Sequence, residues 1–170
     1  MEKNNLSDSF ISVIQTNKGI LYKVANSYCQ NSEDRKDLVQ EIIIQLWKSF
    51  DKYDSNFKYS TWMYRIALNV AISFYRKENS RKTISNPLTD SIIDFTHNEM
   101  QDDKESDLGL LQQVILELKQ LDKAVILLYL EEKSHKEISA IMGITETNVA
   151  TKIGRIKLII KQKITQLKTQ

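Results

Sequence analysis

The chain has very few of the residues that staple, break or kink a fold. It holds one cysteine, Cys29, one proline, Pro87, and four glycines in 170 residues. A lone cysteine excludes an internal disulfide framework and fits a reducing compartment. Scarce glycine and proline, with abundant Ile, Leu, Lys, Gln and Glu, predict an all-α protein. No apolar run approaches membrane-spanning length. Met1 to Ser9 is polar, without the apolar stretch of a signal peptide behind it. The expectation is therefore no membrane insertion and a cytoplasmic location. Only two histidines occur, His97 in an acidic stretch and His135 directly after a helix cap. Neither stands near Cys29 or an acidic pair at a metal-ligand spacing. There is no glycine-rich phosphate loop and no serine or cysteine nucleophile signature. The chain reads as not an enzyme, with no metal and no cofactor.

Net charge is only +2, but its distribution is uneven. Residues 1–78 carry 11 basic and 9 acidic side chains, residues 79–108 carry 3 and 7, and residues 109–170 carry 10 and 6. The middle stretch also holds Pro87 and lacks an apolar period, so it reads as an acidic linker between two small helical domains, 1–78 and 109–170. After Glu146 no acid remains, while Lys152, Arg155, Lys157, Lys161, Lys163 and Lys168 accumulate. A basic block on one helix is the electrostatic footprint of phosphate contact.

That block belongs to a recognisable supersecondary pattern. Ser134 precedes Ile138, Ile141 and Met142, and Glu137 stands three positions after it, which is a capping box. Gly143 can leave the helix through a left-handed conformation, and Thr145 can cap the next one. The following helix buries Val149, Ile153, Ile156 and Ile160 and leaves Asn148, Thr151, Lys152, Arg155 and Lys157 outside. A capped helix, a glycine turn and a capped basic helix match the helix-turn-helix plan, whose second helix enters a major groove. A plain helical hairpin with solvated lysines is the competing reading. Leu108 to Leu121 forms a further helix, and Asp122 caps another through Leu130; both pack behind the motif.

The first half reads as three helices. Phe10 to Cys29 is apolar at helical spacing, with Gly19 as a weak point. A second helix, Glu33 to Phe50, has acids in its first turn, as the helix dipole favours. It looks two-sided: Leu38, Ile42 and Leu46 form one apolar row and Val39, Ile43 and Trp47 the next. Ile44 lies among the polar positions, which suggests a partner-binding face. Asp51 to Tyr59 is a polar, aromatic loop, and a third helix from about Thr61 to Lys77 follows, capped by Ser60 or Thr61. Aromatics interleaved with basic residues suit unstacked bases, which bind by stacking plus backbone charge. Tyr59, Trp62 and Tyr64 as core or rim aromatics is the alternative.

Taken together these residues resemble the sigma-70 family in its compact extracytoplasmic-function form. Asp37-Leu38-Val39-Gln40-Glu41 followed by Leu46-Trp47 is similar to the family's region 2.2. Phe57-Lys58-Tyr59-Ser60-Thr61-Trp62, with Tyr64-Arg65-Ile66-Ala67 and Asn69, is similar to regions 2.3 and 2.4. Leu121 to Leu130 and Ser134 to Val149 are similar to region 4. The resemblance implies a factor that binds bacterial core RNA polymerase, through the β′ clamp and β flap, and directs initiation at promoters. It assigns Asp37, Gln40, Glu41, Ile44 and Gln45 to the polymerase. It assigns Asn56, Lys58, Tyr59, Trp62, Arg65 and Asn69 to the melted −10 non-template strand. It assigns Thr145, Thr147, Asn148, Thr151, Lys152, Arg155 and Lys157 to the −35 duplex, and it implies an anti-sigma factor as a further partner. Two departures stand out: Ala150-Thr151-Lys152 where the family often has Lys-Ser-Arg, and Gly154 inside the recognition helix. The rival function is a dimeric helix-turn-helix regulator that binds palindromic duplex sites alone.

Overall fold

A computed structural model of the chain describes residues 2–84 and 107–170. All regular structure among the described residues is helical: α1 (Glu2–Thr16), α2 (Lys18–Tyr28), α3 (Ser32–Ser49), α4 (Tyr59–Ile84), α5 (Asp107–Leu116), α6 (Gln120–Leu130), α7 (His135–Met142) and α8 (Glu146–Lys168), with one 3-10 turn at Phe50–Lys52. They form two small bundles. Most of the expected acidic linker, with Pro87 and His97, lies outside the described residues.

The first bundle packs α2, α3 and α4 around Leu21, Val24, Leu38, Ile42, Leu46, Met63 and Leu68, all buried. The row Leu38, Ile42 and Leu46 is the only one of α3's two apolar rows that is fully inside. The helix expected over Phe10 to Cys29 is broken, at Asn17 rather than at Gly19. Asn17 turns its side-chain amide onto the Val13 carbonyl, 2.9 Å away, which is how Asn competes with helix continuation. At the start of α3 the Asn31 side chain accepts from the Asp34 N–H at 2.7 Å, capping a first turn that carries Glu33 and Asp34. Helix α4 begins at Tyr59 and runs past the expected end at Lys77 to Ile84. The segment beyond Lys77 contains no glycine or proline, so nothing in it stops a helix.

The second bundle gathers α5, α6 and α7 on α8, and the residues of α6 from Asp122 to Leu128 are all buried. The helix expected over Leu108 to Leu121 ends earlier, at Leu116, and the next begins at Gln120, because the chain tightens after Val114: Glu117 N–H bonds the Val114 carbonyl and Leu118 N–H bonds that of Ile115. Leu118 is thereby buried in the turn. Asp122 does not cap α6. It sits inside the first turn, and Lys119 occupies the cap position with no side-chain cap bond.

Helices α7 and α8 follow the expected chemistry closely. The Ser134 hydroxyl accepts from the Glu137 N–H at 3.1 Å, and the Glu137 carboxylate accepts from the Ser134 N–H at 2.8 Å. These bonds, the backbone donor first, hold the Glu137 carboxyl below its ordinary value. Gly143 ends α7 at φ 68°, and the Ser139 hydroxyl ties the turn by donating to the Ile144 carbonyl. The Thr145 hydroxyl caps α8 by accepting from the Asn148 N–H at 3.1 Å.

Gly143, at the end of α7, and Gly154, inside α8, give a paired stability prediction. Gly143→Ala forces an L side chain into the left-handed region and is expected to lower stability by about 1–2 kcal/mol. Gly154 lies within α8, and an added Cβ there meets nothing within 4 Å. Gly154→Ala is therefore expected to raise stability by up to about 1 kcal/mol. Urea titrations of the two variants should shift in opposite directions; a loss at Gly154 would contradict its open helical placement.

The bundles are packed on each other. Helix α4 lies against α7 and α6, and α2 lies against α5. The Tyr28 hydroxyl donates to the Gln120 carbonyl at 2.8 Å, and the Arg65 guanidinium donates to the Ala140 carbonyl at 2.7 Å.

Candidate nucleic-acid interface

The loop from Tyr53 to Lys58 is shaped by its own side chains. Asp54 accepts from the Asn56 N–H at 2.9 Å and the Tyr53 hydroxyl donates to the Phe57 carbonyl. These bonds turn Asn56, Phe57 and Lys58 outward, and all three are exposed. Tyr59 stacks on Tyr53 with ring centroids 4.3 Å apart. Trp62 stands edge-on to Tyr53 at 5.4 Å and leans on Phe50 at 6.0 Å. The cluster thus presents exposed Tyr59 and half-buried Trp62 beside an exposed lysine. A rim of this kind offers π-faces and a cation to an unstacked base.

Five of the six residues expected at −10, Asn56, Lys58, Tyr59, Trp62 and Arg65, come together at this loop and the start of α4. Arg65 lies over the Phe57 ring at 5.3 Å while bonding Ala140 across the bundle boundary. The sixth, Asn69, is set apart. It lines an open groove between α3 and α4 with Asp37, Glu41, Gln45, Ile66 and Phe74.

The residues expected at the polymerase divide between two faces of α3. Asp37, Glu41 and Gln45 face that groove, with the Gln45 amide donating to Glu41 at 2.9 Å. Gln40 and Ile44 are exposed, and Ile44 lines a shallow apolar depression with Ile43, Trp47 and Phe10. Trp47 was expected in the second apolar row. It touches Phe10 edge-on at 5.0 Å yet remains 45% exposed. The two-sided pattern of α3 was the signal for it.

On α8 the polar face is less free than its spacing suggests. Thr147, Asn148 and Thr151 are exposed, and the Thr145 hydroxyl is engaged as the cap. Lys152 and Arg155 both reach the Asp122 carboxylate, at 3.7 and 3.2 Å. Lys152 is consequently half-buried rather than outside, while the Arg155 side chain stays 56% exposed. Lys157 lies 4.3 Å from the Tyr129 ring centroid and donates to the Tyr129 hydroxyl at 2.7 Å. Lys161 is exposed. Asp122 and Tyr129, which tether these cations, were missed as site residues; Asp122 had a local explanation as a cap that concealed its long-range one.

Among the described residues, no group of three or more histidine, cysteine or carboxylate side chains could hold a metal ion. Among them, too, no helix is long and apolar enough to cross a membrane.

Comparison with known proteins bears on these surfaces. Residues 13–81 match the family model for sigma-70 region 2, and residues 108–159 match that for sigma-70, region 4. The chain is 28% identical to the ECF RNA polymerase sigma factor SigW of Bacillus subtilis, over 97% of this chain and 94% of that protein. It is 26% identical to the ECF RNA polymerase sigma-E factor of Escherichia coli, over 80% of this chain and 76% of that protein. Its fold is shared with CnrH, solved in complex with the cytosolic domain of CnrY, at a TM-score of 0.67 and 19% identity, covering 94% of this chain and 90% of that one. It is shared equally with the sigma factor RpoE of Bartonella quintana, solved with the anti-sigma factor NepR, at a TM-score of 0.67 and 17% identity, covering 95% and 97%.

Proposed function

This chain belongs to the extracytoplasmic-function group of the sigma-70 family, and on that premise we propose how its residues divide the work of promoter recognition. The protein is a sigma factor: it binds core RNA polymerase and directs initiation at specific promoters. It works where the polymerase does, in the cytoplasm, as a non-enzymatic subunit. The catalysis of RNA synthesis stays with the polymerase, and no residue here is assigned to a reaction.

In this reading residues 1–78 serve the polymerase and the −10 element, and residues 109–170 serve the −35 element. Asp37, Gln40, Glu41, Ile44 and Gln45 meet the β′ clamp, and the second bundle meets the β flap. Asn56, Lys58, Tyr59, Trp62 and Arg65 take the non-template strand as it unpairs, and Asn69 faces duplex at its upstream edge. On α8, Thr147, Asn148 and Thr151 face base edges. Arg155, Lys157 and Lys161 supply the phosphate contacts that position the helix. Lys152, held by Asp122, orients Arg155's neighbourhood more than it reaches DNA. An anti-sigma protein is the proposed restraint, by analogy with the sigma factor RpoE of the same fold, solved with the anti-sigma factor NepR.

The observation that carries this reading is one chain holding both a doubly capped helix-turn-helix and a stacked aromatic-cationic loop. A duplex-only regulator has use for the first and none for the second.

The −35 assignment is tested by binding to promoter DNA in complex with core polymerase. Arg155→Ala is expected to weaken binding at all sequences and to reduce the salt slope by about 1. Asn148→Ala is expected instead to relax base preference at a single −35 position, at a cost of about 1–3 kcal/mol. Unchanged salt dependence for Arg155→Ala would remove that residue from the interface.

A further inference from the structure

The basic block of α8 would draw the motif to any duplex, and most of that block is tied back into its own bundle. Lys152 and Arg155 both reach the Asp122 carboxylate, and Lys157 lies on Tyr129. Asp122 and Tyr129 stand seven positions apart on α6, so they share one helix face, and that face meets α8. Further along, Lys163 pairs with Glu117 at 2.8 Å and Lys168 with Asp107 at 2.6 Å. These partners are not equal. The Glu117 and Asp107 side chains are 52% and 84% exposed, and ion pairs in water are weak. The Asp122 side chain is 9% exposed, and Asp122 is the only buried acid among the described residues. A pair shielded from water is screened far less by salt. Lys152, 23% exposed, is drawn in with it, whereas Arg155 bonds it through Nη2 and keeps much of its side chain in solvent. Two cations and one carboxylate leave a single net positive charge there.

Positions 148, 151, 152 and 155 follow the spacing of one helix face. The neutralised pair therefore lies on the same face as Asn148 and Thr151, which are exposed and are the residues proposed to meet base edges. Attraction to phosphates is blind to sequence and supplies nonspecific binding. Discrimination comes from the fit to base edges. A recognition helix with its surplus cations free would hold every duplex more tightly and its own element no more selectively.

We propose that Asp122 is a positioning residue for −35 recognition: it holds Lys152 out of phosphate contact and aims the Arg155 guanidinium, and so raises the preference of α8 for its own element over other duplex. This rests on the promoter reading above and adds to it a specificity device on α6, outside the helix that enters the groove. A planar guanidinium held by a carboxylate approaches a phosphate from a fixed direction, which sets the register of the helix on the duplex.

The test uses holoenzymes reconstituted from core polymerase and the full-length chain, on two duplexes. One is a promoter fragment from a mapped start site; the other is the same fragment with its −35 element scrambled. Asp122→Asn removes the charge and keeps an acceptor for Arg155. Both cations already reach solvent, so the fold is expected to survive. The variant is expected to bind the scrambled fragment severalfold more tightly at low salt, and its preference for the intact fragment is expected to fall severalfold. One released cation should steepen the salt slope by about 0.9, so that about threefold more affinity is lost between about 50 and 200 mM salt. Adding Lys152→Gln to Asp122→Asn is expected to remove the extra slope. An unchanged slope and preference in Asp122→Asn, or equal weakening on both fragments, would overturn the proposal; the latter is what a purely structural Asp122 would give. Arg155→Lys, at a side chain 56% exposed, tests the aiming separately, because it keeps the charge and loses the planar fork. Its salt slope is expected to hold while the preference falls severalfold, and an unchanged preference would overturn the aiming of Arg155 by Asp122. A parent holoenzyme that binds both fragments alike would overturn the −35 assignment itself, and the proposal with it.

Discussion

Trp62→Ala is expected to cut transcription from fully paired promoter DNA by roughly ten- to a hundredfold, while a template already unpaired at −10 recovers most of the loss. The expectation follows from where Trp62 sits. Its ring is braced by Phe50 and Tyr53 and lies 6.4 Å from Tyr59, so it is held in place while one side remains open. Base stacking on such a ring is worth about 1–3 kcal/mol by alanine substitution, and that term favours the melted strand alone. A pre-opened template no longer requires it for unpairing. Trp62→Phe should retain much of the activity, because it keeps a π-face in the cluster. The readout is run-off transcription from matched and heteroduplex templates, with thermal unfolding to account for packing lost at a half-buried tryptophan. An equal defect on both templates would mean that Trp62 supports the bundle and does not meet the unpaired strand.

The second large effect is expected at α3. Gln40→Ala combined with Glu41→Ala should lower affinity for core polymerase by about tenfold or more, the scale of truncating central interface residues. Both side chains are exposed and neither belongs to the buried row Leu38, Ile42 and Leu46: Gln40 points away from it and Glu41 flanks it at the groove. The fold should therefore survive, with only the Gln45–Glu41 bond lost from the surface. Ile44 and Trp47, 46% and 45% exposed, leave apolar area beside Gln40 that a protein partner would cover. Normal core binding by the double variant would place the polymerase on another face.

What could be read from the chain before its structure was whatever depends on near neighbours. The Ser134 and Glu137 box, Gly143 and the Thr145 cap each involve residues a few positions apart, and their chemistry dictates the helix ends directly. The buried row Val149, Ile153, Ile156 and Ile160 followed from spacing alone. Helix breaks without glycine or proline were harder. Gly19 is the stronger breaker by residue type, yet the chain breaks at Asn17 through a side-chain bond to Val13, and the turn at Glu117 and Leu118 falls inside an unbroken apolar pattern. Long-range pairs were invisible. Asp122 and Arg155 are 33 positions apart, and a buried carboxylate that gathers two cations of the recognition helix looks in sequence like a helix cap. Arg65 and Ala140 are 75 apart, and nothing local in either segment announces that Arg65 would rest on the helix-turn-helix.

The central claim is that this chain confers promoter specificity on core RNA polymerase. Its most direct test is co-elution with purified bacterial core enzyme, followed by mapping of transcript starts from a pool of genomic fragments. The expected result is a complex of the two and new start sites that share upstream −35 and −10 elements. Absence of a complex, together with specific duplex binding by the protein alone, would contradict it.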